Sequence, residues 1–311
     1  MPFDPGSTYY KSKVLTNVSL AFKNEDYIGE RVFPIIQVKK DTAQIATYTM
    51  GNLRIEKTLR AIGAATKEVN HAVSIGDHYV LEDHALKELV PIELVENADD
   101  PVKPRVDATE SVTDMMLVAK EKAVADVIQA TGSMTRNTTL TNTDQWNDYE
   151  NSDPFGDIAT GKNSTRAYAG KKANTLIIAY DTLETLLNHP DVVDRFPGAP
   201  MVSYDLLAKN IGRLFGLKEM MVGEAQYNSA DEGAADVLAD IWTKTAVIAY
   251  IEKKGTLKSR TLGFTYQKKA PRKVDGWKDH DRKGDWVRVS DKFDQKAIDL
   301  NCGYLIYAAI A

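Results

Sequence analysis

The chain has 311 residues, 43% hydrophobic and 27% charged, enough for a sizeable core in one large domain or two. Its net charge of −5 offers no basic field for nucleic acid, and a single cysteine, Cys302, excludes an intrachain disulfide framework and a cysteine zinc cluster. No apolar run approaches the ~20 residues that cross a bilayer, and the N-terminal MPFDPGSTYYKSK lacks a signal-peptide segment, so we expect a soluble protein used without secretion and without a membrane partner.

Residues 1–30 are polar, with Pro2, Pro5 and Gly6 early, and read as an irregular arm. Residues 31–40 (RVFPIIQVKK) read as a short extended segment that Pro34 keeps off the middle of a sheet. Over residues 43–76, Leu53, Ile55 and Leu59 alternate with Arg54, Glu56 and Thr58, and Val69, Val73 and Ile75 with Glu68, Asn70 and Ser74. With a turn around Gly63 between them, these runs predict a β-hairpin with one apolar face. Two strands cannot bury such a face alone. Leu53, Ile55, Leu59, Val69, Val73 and Ile75 are therefore the candidate intersubunit contacts.

Residues 77–106 hold a short helix candidate from about Glu82 to Leu89, then a proline-bounded acidic turn at 97–104. Residues 107–131 carry the longest helical pattern. Asp107 stands as N-cap, Glu110 is in capping-box position, neither Pro nor Gly interrupts, and Gly132 is a stop. Val112, Met116, Ala119, Ala123 and Val127 form one apolar stripe, and Leu117, Val124 and Ile128 a second. Val112, Met116, Leu117, Val124, Val127 and Ile128 are the candidate core of this helix, with Lys120, Glu121, Lys122 and Asp126 on the solvated side. At ~1.5 Å per residue it would span roughly 36 Å, a beam for other elements.

Residues 132–173 are rich in Ser, Thr, Asn, Asp and Gly and read as irregular surface with room for one short helix. From residue 174 the pattern becomes α/β. TLIIAY (175–180) is a buried strand, and Asp181, with Glu184 three residues on, caps a helix ending before Pro190. Ser203 caps another helix bearing Leu206, Leu207, Ile211, Leu214 and Phe215, stopped by Gly216. Strands are expected at 220–222, 243–251, 262–266, 286–289 and 300–310, a polar loop at 227–233 and a charged loop at 268–285. The fold class is α+β. Cys302, within the apolar LNCGYLIYAAI, reads as a buried thiol.

The search for chemistry yields no catalytic, cofactor or metal residues. Gly156, Gly161 and Lys162 have the spacing of a phosphate-binding loop, but Asn163 stands where a magnesium-binding Ser or Thr belongs and no apolar strand precedes Gly156. His78 and His84 lie six apart, which matches neither a helical nor a strand pair of metal ligands. His71 is in register with Val69 and Val73 as a structural histidine, His189 sits at a helix end where a cation suits the dipole, and His280 lies in the charged loop. The basic residues from Lys269 to Lys283 alternate with Asp275, Asp279 and Asp281, as in a salt-bridging loop.

The order of parts is a polar arm, an uncovered hairpin, a long helix, an irregular segment, an α/β region and closing strands. This order resembles the tailed-phage major capsid proteins and their Hong Kong 97-like fold. The segments VFPIIQVKKDTAQIATY, LKELVPIELVENADDPVKPRVDATE, NTLIIAYDTLETLLNHPDVVDRF and LFGLKEMMVGEAQYN carry the likeness, which covers most of the chain. The resemblance implies an N-arm (1–40), an extended loop (41–80), a peripheral domain (81–173) with spine helix 107–131, an axial domain (174–260) and strands returning to both (261–311). It implies a structural subunit, not an enzyme, assembling as hexamers and pentamers into an icosahedral head around double-stranded DNA. A separate scaffolding protein, a portal and a decoration protein would be its partners, in the virion and, during assembly, in the host cytoplasm. The mild negative charge suits a container that does not grip its DNA. Two alternatives are an encapsulin-like compartment shell with the same fold and a nucleotide-binding enzyme using Gly156–Lys162.

Overall fold

Alternating and continuous apolar runs fold into two sheets bridged by one long helix in a computed structural model that describes residues 10–22, 24, 26–70, 72–98, 102–195, 210–255, 260–269 and 272–311. The chain begins with β1 (Tyr10–Lys11), α1 (Lys13–Ala21), α2 (Gly29–Val32) and β2 (Ile35–Val38). β3 (Thr42–Tyr48) and β4 (Val73–Val80) make an antiparallel ribbon, followed by β5 (Glu82–Pro91), α3 (Ile92–Glu96) and α4 (Pro104–Gln129). Next come β6 (Asn137–Thr139), α5 (Pro154–Ala169), β7 (Thr175–Ala179), α6 (Tyr180–Leu187) and α7 (Pro190–Val193). β8 (Glu219–Gly223), β9 (Gln226–Asn228), β10 (Leu238–Asp240) and β11 (Ala246–Ala249) follow. β12 (Gly263–Lys268), β13 (Lys273–Asp279), β14 (Gly284–Ala297) and β15 (Gly303–Tyr307) close the chain.

The first sheet runs β1-β13-β14-β12-β2, with β5 along the other edge of β14. The 14-residue β14 is its axis, pairing β13 with its first half, β12 with its second and β5 over ten residues. β2, directly after Pro34, is an edge strand as the proline demands. The second sheet runs β6-β15-β11-β7-β8. Every residue of β7 and β11 is buried, as expected of continuous apolar runs covered on both faces.

At ~1.5 Å per residue α4 is about 39 Å long, and it reaches both sheets. Its first half, through Ala108, Val112 and Met116, packs on Val90, Val274, Val287 and Val289 of the first sheet and on Leu15 of α1. Its second half, through Val124, Ala125 and Ile128, packs with Ile177, Val247, Ala249 and Leu305 of the second sheet and with Phe33 and Trp242. On the opposite face of the second sheet, Ile158 of α5 and Leu183 and Leu186 of α6 meet Leu176, Ile178 and Ile248.

Several expectations change. α4 starts at Pro104 in its first turn, so Asp107 lies inside the helix rather than capping it. Lys120 and Glu121 are buried, whereas Ala119 and Ala123 of the expected apolar stripe are exposed. Residues 13–21 are helical because the Ser12 hydroxyl accepts the Leu15 N–H at 3.2 Å and Ser19 bonds Thr113 of α4 at 2.8 Å. Glu82–Pro91 is a strand, not a helix, since it completes the ladder on β14. The segment 132–173 contains the 16-residue α5, and the charged loop contains β13. The hairpin arms are 42–48 and 73–80, so Leu53 ends a 3-10 turn, Ile55, Leu59 and Val69 lie outside strands, and only Val73 and Ile75 are on β4. Pro2, Pro5, Gly6, His71, Ser203, Leu206 and Leu207 lie outside the described residues.

Candidate interaction surface

The β3–β4 ribbon is fastened to the first sheet at its Thr42–Val80 end. There Tyr79 stacks on Tyr266 with centroids 4.5 Å apart, inside a small core with Leu81, Phe264, Ile36 and Ile45. The Val80 N–H donates to Asp294 at 2.9 Å, and Lys268 pairs with Asp41. At the other end Met50 and Leu53 reach Gly170 and Arg260 beside the end of α5, and beyond them the loop is held by its own cross-links. Asn52 exchanges two hydrogen bonds with Ala72, both 2.9 Å. Lys67 pairs with Glu56 and holds that carboxyl below the usual range. Gly63, at φ +82, turns the tip in the left-handed region that glycine tolerates.

Leu53, Ile55, Leu59, Ile62, Val69, Val73 and Ile75 are all exposed, and at Ile55, Leu59 and Ile62 the exposure is 101%, 97% and 105%. Ile62 was missed from the sequence because it stands inside the turn, out of step with the alternation; an isoleucine beside a turn glycine was the available signal. Exposed Arg54, Lys57, Arg60 and Glu68 rim these aliphatics. An apolar stripe edged by charge is the usual makeup of an interaction surface. Burying each such side chain against a partner contributes ~1.5–3 kcal/mol.

Of the six residues singled out on the long helix, five lie in or against the two cores. Val112 and Met116 sit in the first, Val124 and Ile128 in the second with Val127 partly buried beside them. Leu117 is half-buried and lines a cleft between α4 and residues 22–31. Lys120 and Glu121, between the two cores, are buried and hydrogen-bonded to residues 28–30.

The residues with chemical potential have structural partners. Gly156 is in the first turn of α5, its N–H donating to the Asp153 cap at 2.9 Å, and Lys162 donates to the Phe215 carbonyl at 2.6 Å. Gly161 abuts Ile248 and Tyr304, where a Cβ would lie 2.9 Å from Ile248 Cδ1. These residues are helix, with no cradle of free N–H groups. His189 is buried. Its Nδ1 accepts the Asp191 N–H at 3.2 Å, its Nε2 lies 3.0 Å from the Ser152 hydroxyl, and burial lowers its pKa, so it caps α7 as a neutral ring, not as a cation. His84 stacks on Phe293 at 4.2 Å, and His78 is exposed on β4. Among the described residues no group of three His, Cys, Asp or Glu could hold a metal, and no helix is long and apolar enough to cross a membrane. Cys302 is buried, and burial pushes its thiol up to about 12.

No protein-family model matches the chain. It is 30% identical over 302 residues to the major capsid protein of Burkholderia phage BcepMu, covering 94% of each. Among solved structures, it resembles a phage-related protein of Bordetella bronchiseptica RB50 (TM-score 0.75, 22% identity, 97% of this chain and 98% of that one). It also resembles the capsid structure of the cyanophage P-SCSP1u (TM-score 0.60, 10% identity, 92% and 89%).

Proposed function

The chain belongs to the phage major capsid proteins, and from that premise we propose how its parts serve as a shell subunit. The observation that carries the reading is the 30% identity to a major capsid protein along nearly the whole of both chains. In this reading residues 1–40 are the N-arm and 41–80 the extended loop of a Hong Kong 97-like subunit. Residues 81–173 form the peripheral domain with α4 as spine, 174–260 the axial domain, and 261–311 return to both. The loop aliphatics Leu53, Ile55, Leu59, Val69, Val73 and Ile75, joined by Ile62, lie on a neighbouring subunit within hexamers and pentamers. Their exposure supports this. A separate scaffolding protein and a portal complete the particle, which encloses double-stranded DNA without specific contacts. The role is structural, not catalytic.

Negative-stain microscopy of the purified protein, alone and coexpressed with the scaffolding protein of its phage, tests the assembly. Closed shells in either preparation are expected; dispersed subunits in both would overturn it. ATP binding at micromolar affinity, abolished by Lys162→Ala, would overturn the non-catalytic role.

A further inference from the structure

We infer that Glu121 is a proton-operated latch that holds residues 27–33 against the middle of α4 and tightens as the pH falls. The geometry is that of a closed clasp between three parts of the chain. The Glu121 side chain is nearly fully buried, at 3% exposure. Its Oε1 accepts the Ile28 N–H at 3.0 Å and the Trp242 Nε1–H at 2.8 Å, and its Oε2 accepts the Gly29 N–H at 2.6 Å. A Cβ at position 29 would stand 2.6 Å from Oε2, so any other residue there would push the carboxylate aside. Trp242, itself buried, carries the contact to the segment that leads into β11 of the second sheet.

All three donors to Glu121 are neutral. Of the two flanking cations, Lys120 gives its ammonium to Glu30 at 2.7 Å and lies over the Phe293 ring at 4.9 Å, and Lys122 pairs with Asp126 at 2.7 Å. The other groups facing this cleft do not neutralise the carboxylate either. Tyr27 donates to Asp114 at 2.7 Å, Arg31 pairs with Glu219 at 2.8 Å, and Arg272, on the cleft wall, exerts its charge on Asp291. From β14 the facing acid is buried Asp291, bonded by Gln267 at 2.7 Å. On the Trp242 side the nearest charged residues in sequence, Asp240 and Lys244, are exposed. Glu121 thus carries a buried charge without a counterion, beside a second carboxylate on Glu30.

Burial raises the Glu121 pKa, and its three hydrogen bonds oppose that only in part. The closed clasp therefore binds a proton more tightly than an opened, hydrated one. Acid favours the closed state, and that contribution is lost as the pH rises through the closed-state value. Residues 27–33 lead into β2, so the latch governs how firmly the N-terminal part sits on the subunit body.

Hydrogen exchange of the Ile28 and Gly29 amides in the purified full-length subunit tests this, read at about pH 4.5 and about pH 7.5 and corrected for intrinsic rates. Protection should be several-fold greater at the lower pH, and Glu121→Gln should remove that difference. Equal protection of the wild type at both values would overturn the latch, as would an undiminished pH dependence in the Gln variant. Trp242→Phe offers a second test should the Gln variant fail to fold. It keeps the carboxylate but removes one donor, so the pH dependence should persist with its midpoint moved upward; an unmoved or lowered midpoint would overturn the proposal.

Discussion

At the residue scale, burial sets the behaviour of His189 and Cys302. His189 is held neutral, its pKa lowered by burial, so the folded state binds its proton less readily than the unfolded chain. Its contribution is present above the unfolded value of ~6.5 and is lost as the pH falls below it. Urea denaturation at about pH 7.5 and about pH 5.5 should therefore show the wild type losing more stability on acidification than His189→Gln. Parallel loss in both proteins would place the acid sensitivity elsewhere. Cys302 is inert for a related reason, since burial disfavours its thiolate. A thiol reagent should label it only at the rate of unfolding, and prompt labelling of the native subunit would contradict its placement.

At the scale of elements, α4 joins two cores, so its residues should respond to truncation in two independent groups. Met116→Ala in the first core and Ile128→Ala in the second should each cost ~2–5 kcal/mol in denaturant unfolding of the subunit. The two positions are twelve residues apart on the helix, about 18 Å, and share no core, so the double variant should lose their sum to within ~0.5 kcal/mol. Leu117→Ala should cost less than Met116→Ala, because Leu117 faces a cleft and is half-buried. Equal losses at 116 and 117 would mean the helix is rotated from the position described.

At the scale of the whole molecule, Ile55, Leu59 and Ile62 add nothing to the isolated subunit's core and stand where a neighbour can cover them. Ile55→Asp together with Leu59→Asp should leave thermal unfolding of the subunit unchanged and abolish closed particles in negative stain. Normal particles would mean that the loop makes no contact, and an unfolded subunit that it belongs to the chain's own core. Many modest contacts repeated around a closed, symmetric shell make dissociation rare, so losing a few per subunit is enough to prevent closure.

The sequence alone determined the central strands of the second sheet, because TLIIA and AVIA are apolar without a break and only burial on both faces suits them. Three- and four-residue spacing picks out Val112, Met116, Val124 and Ile128 of the long helix, but it also picks Ala119 and Ala123, which are exposed. Only the tertiary structure decided Glu82–Pro91. Glu, Ala, Leu and Lys favour a helix by tenths of a kcal/mol each, and a ten-residue ladder with β14, two hundred positions later, outweighs them. The same holds for α5, where Gly156 and Gly161 argue against a helix locally, but packing of Ile158, Thr165 and Ala169 favours it. Lys120 and Glu121 show the limit most plainly. Charge assigns both to solvent in any local reading, and only the approach of residues 28–30 and Trp242 supplies the partners that make their burial tolerable.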